Sequence, residues 1–393
     1  MRPFNFCIPT EMLYGKGRVN EAGEQVKLRG DKVLLLSYDK AVLEQIGIYD
    51  QLHQSLNGAG VQTVEHLGVK SNPDVAHARE GIRKVLENGI GVILAVGGGS
   101  VMDEGKCIAA GALYDGDVWD LYEGKGELSD ALPLVTICTI PATSSEMNCI
   151  SVMNNEEKKQ KSALSGPEIY PRASILDPVL TYGIPIRNTA CSAADIISHL
   201  SEAYFTEQEH WTPIQDGYCE SLMRTVIECM ECLLENPRDE EARDTMMWAA
   251  SISWNEFYRC GLGKTYVPCH ILSHPLSGRY DTPHGAAVSI VTTGWMRYML
   301  DKKDEHLTGR FAKFARQVFG IRMFPEAFQA QLGMKALQEW YHRIGVPASF
   351  KEGEIPTREV DLLVEAAYTD CLANGIEEEY NKTALKAMYE YCF

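Results

Sequence analysis

Residues 91–112 read GVILAVGGGSVMDEGKCIAAGA. An apolar run of strand type leads directly into three glycines and a serine, and a helical pattern follows: Gly97, Gly98, Gly99 and Ser100. Glycines at such a turn let the backbone approach a pyrophosphate, and the first N–H groups of the helix attract its negative charge. A tight strand-to-helix turn without a ligand needs the same residues, and the G-x-G-x-x-G fingerprint is absent. The stretch predicts a buried strand and favours a phosphate-binding loop after it.

Strand and helix patterns alternate on both sides of this stretch. Four apolar runs predict strands, in residues 32–39, 61–69, 91–96 and 132–143. Segments 41–56 and 74–89 have helical spacing, and the second ends at Asn88-Gly89, a common helix stop. The charged segment 154–161, NNEEKKQK, predicts a hairpin tip. This alternation is typical of a mostly parallel sheet with helices on both faces.

Helical patterns alone continue after about residue 185. Segments 189–206, 216–236 and 242–261 all carry apolar residues at helical spacing. We therefore predict an α/β dinucleotide-binding domain over residues 1–185 and an all-α domain over residues 186–393. A chain of 393 residues has room for two domains, at roughly 100–200 residues each.

Composition excludes several classes of function. A net charge of −17 argues against binding to nucleic acid or to an anionic membrane surface, since both need clustered Lys and Arg. No apolar run is long enough to span a membrane, and the start has no apolar core of a signal peptide. Twelve cysteines in no disulfide framework indicate reduced thiols and a cytoplasmic protein. The C-x-x-C pair Cys229 and Cys232 lies in a helical apolar pattern, which favours core thiols over a zinc site.

Residues 270–284, HILSHPLSGRYDTPH, contain three of the ten histidines: His270, His274 and His284. Pro275 and Gly278 lie between them and argue against one regular helix, so we expect the histidines to surround a turn. Neutral imidazole is a common ligand for zinc and iron. Hydrogen-bonded histidines clustered by chance are the alternative.

A carboxylate and a further imidazole occur in residues 191–205, CSAADIISHLSEAYF. Asp195 and His199 are four residues apart, so both lie on one face of an apolar helix. Such groups are costly to bury unless they are paired or bound to metal, and an Asp–His hydrogen bond in the core is the alternative. With His270 and His284 they supply one oxygen and three nitrogens. This set suits Fe²⁺ or Zn²⁺ with an open coordination position.

Asp39 follows the strand predicted in residues 32–39. A carboxylate at the end of such a strand can accept hydrogen bonds from an adenosine ribose and repel a 2′-phosphate. It can equally be the N-cap of the helix that begins near Ala41. The residue alone leaves both roles open.

These motifs together resemble the iron-containing alcohol dehydrogenases, and among them the butanol-dehydrogenase-like, aldehyde-reducing branch. The likeness covers nearly the whole chain, through FNFCIPTEMLYGKG, AVGGGSVMDEGK, TIPATSSEMN, ILDP, DIISH and HILSHPLSGRYDTPHG in the family's order. Two features depart from it. Ala142 and Ser144 stand where the common signature has threonine and glycine. Arg259 and Lys264 stand where relatives tend to have small or neutral residues.

The resemblance implies a dehydroquinate-synthase-like architecture in which NAD, rather than NADP, lies in a cleft between an α/β domain and an all-α metal-binding domain. It implies four metal ligands: Asp195, His199, His270 and His284. His274 matches a non-ligand histidine beside the nicotinamide, a candidate for proton relay. Six further residues match positions that contact the nucleotide: Gly97, Gly98, Ser100, Thr139, Thr143 and Lys161. Asp39 matches the position that favours NAD. A homodimer or larger homo-oligomer is expected.

The implied reaction is hydride transfer between the nicotinamide and a short-chain aldehyde or alcohol. A metal-dependent, nucleotide-using lyase of the dehydroquinate synthase type is the alternative enzyme, and a non-catalytic binding protein is the alternative outside enzymes. Arg259 and Lys264 precede His270 closely, so they are candidate ligands for an anionic aldehyde such as sulfoacetaldehyde. Solvated or ion-paired surface positions are their other interpretation.

Overall fold

The computed structural model describes residues 1–209, 211–323 and 325–393. They form two compact units. An α/β unit contains two stretches, Cys7–Ile184 and Arg238–Asn255. A helical unit contains three, Met1–Phe6, Pro185–Pro237 and Glu256–Phe393. The change of unit after Ile184 is one residue from the predicted boundary, but Met1–Phe6 and Arg238–Asn255 each belong to the opposite unit from the one predicted.

A parallel sheet forms the centre of the α/β unit. The described residues of this unit form eight strands: β1 (Glu11–Tyr14), β2 (Lys32–Ser37), β3 (Gln62–Leu67), β4 (Val92–Gly98), β5 (Leu134–Ile140), β6 (Ile150–Asn155), β7 (Gln160–Ser165) and β8 (Ala173–Leu176). Six of them are parallel, in the order β1-β8-β5-β4-β2-β3. The four predicted strands are β2 to β5. Strands β6 and β7 form an antiparallel hairpin whose tip is the predicted charged segment 154–161.

Helices make up most of the remaining chain. In order they are α1 (Ala22–Lys27), α2 (Lys40–Gln45), α3 (Tyr49–Gly58), α4 (Val75–Asn88), α5 (Gly99–Gly111), α6 (Trp119–Tyr122), α7 (Ile186–Thr206), α8 (Pro213–Glu235), α9 (Glu240–Ser253), α10 (Pro268–Tyr280), α11 (His284–Asp301), α12 (Glu305–Val318), α13 (Glu326–Ile344), α14 (Val360–Asn374) and α15 (Lys382–Glu390). Helices α1 to α6 and α9 belong to the α/β unit, and the others belong to the helical unit. None of the helices in the described ranges is both long and apolar enough to cross a membrane.

Helices cover both faces of the sheet, and neighbouring side chains along a strand point to opposite faces. In β2, Leu34 and Leu36 join one core cluster with α4 and α5, whereas Val33 and Leu35 join another with α1 and α3. This two-sided burial explains why β2 and β4 are continuous apolar runs in the sequence.

Helix prediction in this unit was correct at one segment and wrong at another. Helix α4 ends at Asn88-Gly89 as predicted, with Gly89 in a left-handed conformation. At its start Asp74 caps the helix by accepting a hydrogen bond from the Ala76 N–H. The helix predicted over 41–56 is instead two helices, α2 and α3. Gly47 separates them with a φ of 77°, which a helix cannot contain.

Helix α9 belongs to the α/β unit because specific hydrogen bonds attach it there. Arg243 Nη2 donates to the Ile184 carbonyl at 3.0 Å, and the Tyr14 hydroxyl donates to the Asp244 carbonyl at 2.8 Å. Ser251 Oγ donates to buried Glu146 Oε1 at 2.5 Å. These partners are far from α9 in sequence, so helical periodicity gave no sign of them.

In the helical unit, α7, α8 and α12 are joined by a buried charge cluster. Arg310 Nη2 lies 2.6 Å from Asp216 Oδ1, and Arg310 Nη1 lies 3.0 Å from Glu207 Oε1. The same guanidinium lies over the Tyr204 ring, 4.1 Å from its centroid. Pairing of this kind is what allows ionised groups to be buried, so the cluster fixes the far end of α7.

The histidine-rich segment differs from the prediction. Residues Pro268–Tyr280 form one helix, α10, which continues through Pro275 and Gly278. A left-handed Asp281 ends it, and α11 begins at His284. Pro275 removes only one N–H donor from the helix, so surrounding packing can maintain it. His270 and His284 still lie on opposite sides of a turn.

Candidate active site

The four predicted ligands lie close together in the helical unit, on helices α7, α10 and α11. Asp195 and His199 lie one turn apart on α7, a helix of 21 residues that is buried along most of its length. His270 lies in the first turn of α10, and His284 is the first residue of α11. The His199 and His270 rings are stacked, with centroids 4.7 Å apart and planes at 13°.

Three imidazole nitrogens converge on one carboxylate oxygen. Nε2 of His199 is 3.6 Å from Asp195 Oδ1, and Nε2 of His270 and of His284 are each 3.5 Å from it. These distances exceed a normal hydrogen bond. They match the separation of roughly 3.4 Å expected between two ligands of one tetrahedral ion with bonds of about 2.1 Å. The residues therefore fit a divalent metal.

Exposure is uneven around this cluster. The Asp195 side chain is 3% exposed and that of His199 is 7% exposed, whereas the His284 side chain is 30% exposed. A catalytic metal needs an open position for substrate. The His284 side of the cluster can provide one.

Burial and neighbouring charges shift these groups in opposite directions. Burial would raise the pKa of Asp195, but His199, His284 and His270 together hold it well below its usual range. Burial lowers the pKa of His199 to about 4. Burial also disfavours charged His270, but Glu202 and Asp195 outweigh it and raise its pKa to about 10. A positive charge is thus favoured beside the two carboxylates, as a proton on His270 or as a cation in its place.

Glu202 is a member of this site that the sequence analysis missed. Its fully buried carboxylate accepts hydrogen bonds from His270 Nδ1 at 2.5 Å and from the Cys269 N–H at 2.7 Å. It lies seven residues after Asp195 and three after His199, on the same face of α7. A second carboxylate on that apolar face was the signal that could have identified it.

Asp370 was also missed. His274 Nδ1 lies 3.1 Å from Asp370 Oδ2 on α14, and both side chains are about a quarter exposed, at 24% and 23%. The His274 and His284 ring centroids are 6.1 Å apart, so His274 lies next to the cluster. Asp370 is 96 residues from His274, and no spacing pattern connects them.

The glycine-rich turn of the α/β unit joins β4 directly to α5. A Cβ at Gly97 would lie 2.4 Å from Val101 Cγ2, and one at Gly99 would lie 2.4 Å from Thr143 Oγ1. The Gly98 N–H donates to the Tyr38 hydroxyl at 3.3 Å. Close packing within the unit therefore explains Gly97 and Gly99. It also leaves the first residue of α5, Gly99, without a side chain, which favours close approach of a phosphate.

The other predicted nucleotide contacts have diverse local roles. Thr139 is buried near the end of β5, Thr143 Oγ1 accepts a hydrogen bond from the Ser145 N–H at 3.3 Å, and Lys161 lies on β7. Ser100 Oγ donates to the Ser71 carbonyl at 2.5 Å. Asp39 occupies the N-cap position of α2, but its exposed carboxylate makes no capping hydrogen bond. The capping alternative for Asp39 is therefore not supported.

Ser144, one of the departures from the family signature, has a left-handed backbone with a φ of 53°. Its hydroxyl donates to the Ala250 carbonyl at 2.5 Å and accepts from the Trp254 N–H at 2.9 Å. The conformation that glycine adopts freely is thus retained here by a serine that is bonded on both sides.

The two candidate anion-binding residues have partners within the helical unit. Arg259 forms an ion pair with Glu256 and is 42% exposed at its side chain. Lys264 Nζ donates to the Gly375 carbonyl at 3.1 Å. The pairing of Arg259 weakens, without removing, its capacity to bind an anionic substrate.

Comparisons with known proteins cover nearly the whole chain. The family model described as iron-containing alcohol dehydrogenase matches residues 9–178, and its C-terminal counterpart matches residues 189–393. A probable NADH-dependent butanol dehydrogenase of Bacillus subtilis is 36% identical over 377 residues, 95% of each chain. The crystal structure of an NADH-dependent butanol dehydrogenase A of Thermotoga maritima has a TM-score of 0.92 and 32% identity, covering 100% of this chain and 99% of its own. A sulfoacetaldehyde reductase of Bifidobacterium kashiwanohense in complex with NAD⁺ has a TM-score of 0.82 and 26% identity, covering 100% and 99%.

The chain belongs to the iron-containing alcohol dehydrogenase family. Its relatives place it in the butanol-dehydrogenase-like branch. It is an oxidoreductase that interconverts alcohols and aldehydes, with NAD(P) and a divalent metal as the cofactors of this enzyme class.

Proposed function

We propose that this protein is a metal-dependent, NADH-linked reductase of short, uncharged aliphatic aldehydes. The observation that carries the proposal is the convergence of three imidazole nitrogens on Asp195 Oδ1 at 3.5–3.6 Å. We assign Asp195, His199, His270 and His284 as the ligands of one Fe²⁺ or Zn²⁺ ion.

Each ligand has a separate role in the proposed reduction. When bound, the metal polarises a carbonyl oxygen and the reduced nicotinamide supplies the hydride. Asp195 would balance part of the metal's charge, and the three imidazoles would each donate an electron pair as neutral ligands. His284, as the most exposed ligand, borders the position that the aldehyde enters.

His274 is our candidate for the proton that converts the alkoxide to an alcohol. Its Nδ1 is hydrogen-bonded to Asp370 Oδ2, so we assign proton transfer to Nε2. Through this hydrogen bond Asp370 holds the imidazole ring in one orientation.

The proposal is tested with metal-free protein reconstituted separately with Fe²⁺ and Zn²⁺ and assayed on a series of aldehydes. We expect one NADH oxidised for each butanal reduced, and no turnover without metal. A dehydroquinate-synthase-type lyase would not consume NADH in step with aldehyde. Full activity of metal-free protein, or NADH use unrelated to aldehyde loss, would overturn the proposal.

We further propose a preference for NADH over NADPH, and we base it on Asp39. Two unit charges at about 4 Å interact by roughly 4 kcal/mol at an effective dielectric constant near 20. Asp39 is exposed, so solvent reduces this value, and we expect at least a tenfold difference in kcat/KM, or about 1.4 kcal/mol. Asp39→Gly should raise the efficiency with NADPH. Equal use of both cofactors by the unaltered enzyme would refute the preference.

An anionic aldehyde is a second candidate substrate. Two observations favour it: Arg259 carries a positive charge shortly before α10, and a structural relative is a sulfoacetaldehyde reductase. If Arg259 binds the anion, Arg259→Ala should reduce kcat/KM for sulfoacetaldehyde and leave butanal nearly unchanged. An equal effect on both substrates, or on neither, would leave the uncharged aldehyde as the substrate.

A further inference from the structure

The Glu202 carboxylate joins α7 to the start of α10. Oε2 accepts hydrogen bonds from the Cys269 N–H at 2.7 Å and from the His270 N–H at 3.3 Å. Oε1 accepts from Ser198 Oγ at 2.6 Å and from His270 Nδ1 at 2.5 Å. The first N–H groups of a helix lack partners within it, and an anion at that end is favoured by the helix dipole. Glu202 therefore fixes where α10 begins relative to α7.

The same carboxylate selects the tautomer of His270. An ionised carboxylate only accepts hydrogen bonds, so Nδ1 of His270 must carry a proton. In neutral imidazole the lone pair then lies on Nε2, the nitrogen that faces Asp195 Oδ1 at 3.5 Å. The opposite tautomer would direct an N–H at the carboxylate and could not coordinate a metal there.

We infer that Glu202 is a positioning residue of the metal centre, which holds His270 with its Nε2 lone pair aimed at the ion. The inference rests on the proposed metal-dependent function. Hydrogen bonds from ligating histidines to carboxylates typically contribute a factor of about 10–100 in metal affinity. Here one buried carboxylate also anchors the backbone that carries the histidine.

Glu202→Gln is the sharpest test because it preserves size and the capacity to accept from the Cys269 N–H. With the amide oxygen in that position, the amide NH₂ faces His270 Nδ1 and donates to it. The proton of His270 then moves to Nε2. We expect ¹⁵N NMR of histidine-labelled, metal-free protein to show a proton on Nδ1 of His270 in the wild type and none on that nitrogen in Glu202→Gln.

Co²⁺ binding gives the second readout. We expect Glu202→Gln to raise the Kd for Co²⁺ by about 10–100-fold and to alter its visible absorption bands. The melting temperature of each metal-free variant is measured alongside, so that affinities are compared where the protein is folded. Glu220→Gln is the matched control, because Glu220 is a buried carboxylate that accepts from the Tyr204 hydroxyl at 2.9 Å and lies on α8. It should keep wild-type affinity and spectrum.

The possible outcomes distinguish the proposed metal-dependent function from the inference about Glu202. If wild-type protein binds no Co²⁺ at one equivalent, the metal-dependent function is refuted and the role of Glu202 with it. If wild type binds Co²⁺ but Glu202→Gln keeps its affinity, its spectrum and the proton on Nδ1 of His270, the inference about Glu202 alone is wrong. The inference is equally wrong if Glu220→Gln loses as much affinity, because the effect would then come from any buried carboxylate.

Discussion

At the scale of the residue, Ser144 shows how one hydroxyl maintains a strained backbone. A left-handed conformation costs a residue with a Cβ about 1 kcal/mol or more. Two hydrogen bonds of about 1 kcal/mol each offset that cost. Because these bonds reach Ala250 and Trp254, at either side of the end of α9, they also attach the Thr143–Ser144 loop to that helix.

This balance predicts different effects for two substitutions. Ser144→Ala loses both hydrogen bonds and keeps the strain, whereas Ser144→Gly loses the bonds but adopts the conformation freely. We expect the alanine variant to be less stable than the glycine variant by about 1 kcal/mol in urea unfolding. If alanine is tolerated as well as glycine, backbone strain at Ser144 is unimportant.

The histidines of α10 should separate into a ligand and a non-ligand. We expect His270→Ala to lose metal and activity together, since three donors remain and Glu202 loses its partner. His274→Ala should retain one metal per chain and lose turnover, because His274 is bonded to Asp370. Elemental analysis of the purified variants measures the difference. Loss of metal from His274→Ala would make His274 a ligand.

Analysis of the sequence could single out only residues whose partners are local or whose chemistry is unusual. Asp195 and His199 were identified because a carboxylate and an imidazole one turn apart on an apolar helix are costly without a function. Asp370 was not identified because only the packing of α14 against α10 brings it to His274. The metal-binding role of Asp195 and His199 stays a prediction.

At the scale of the element, the start of α11 depends on a missing side chain. A Cβ on Gly285 would lie 1.9 Å from the Cys191 carbonyl oxygen and 2.6 Å from its carbon. Both are rigid backbone atoms of α7, one turn before Asp195. Glycine at this position therefore lets α11 approach α7 closely enough for His284 to reach the cluster.

Gly285→Ala should accordingly separate the two helices. We expect weakened metal binding and a loss of stability of about 1–3 kcal/mol, the usual cost of overpacking. Gly278→Ala is the matched control, because no heavy atom lies within 4 Å of the corresponding Cβ and α10 continues through it. The measurement is Co²⁺ affinity together with thermal unfolding. Wild-type metal affinity in Gly285→Ala would contradict the role we assign to this contact.

The elements also show what limits prediction from periodicity. The segment 41–56 keeps apolar spacing across Gly47, so the pattern did not reveal the break between α2 and α3. Pro275 had the opposite effect, since it suggested a break in a helix that continues. In the first segment the left-handed backbone of Gly47 ends the helix, and in the second the surrounding packing maintains the helix through Pro275.

At the scale of the whole molecule, sequence order gave the class of each unit but not its full membership. The alternation of strands and helices predicted the parallel sheet correctly. Helix α9 follows the first stretch of the helical unit in sequence, yet it packs with the sheet. A linear boundary cannot describe a unit that the chain leaves and re-enters.

Stability at acidic pH should depend on His66. Burial, followed by the charge of His77, lowers the pKa of His66 to about 4. The unfolded chain binds this proton near pH 6.5, so stability is lost as pH falls from about 6.5 to 4. His77 has a raised pKa because of its hydrogen bond to Glu104, and its contribution is already complete below pH 6.5.

His66→Gln isolates this effect, because the amide can still donate to the His77 carbonyl and does not titrate. Between pH 7 and pH 5 we expect wild type to lose about 2 kcal/mol more than the variant. Urea unfolding at each pH measures both. Parallel pH profiles for the two proteins would show that His66 does not titrate as described.

The four proposed ligands include no sulfur, and this affects how the enzyme responds to oxidation by air. Thiolate ligands are oxidised at sulfur by mild oxidants, a reaction that imidazole and carboxylate ligands do not undergo. The nearby thiols Cys191 and Cys269 have pKa values raised by burial, so they remain protonated and react slowly with oxidants. Brief exposure of an iron-loaded form to air should therefore oxidise the ion before these thiols, and a reductant with fresh Fe²⁺ should restore the activity.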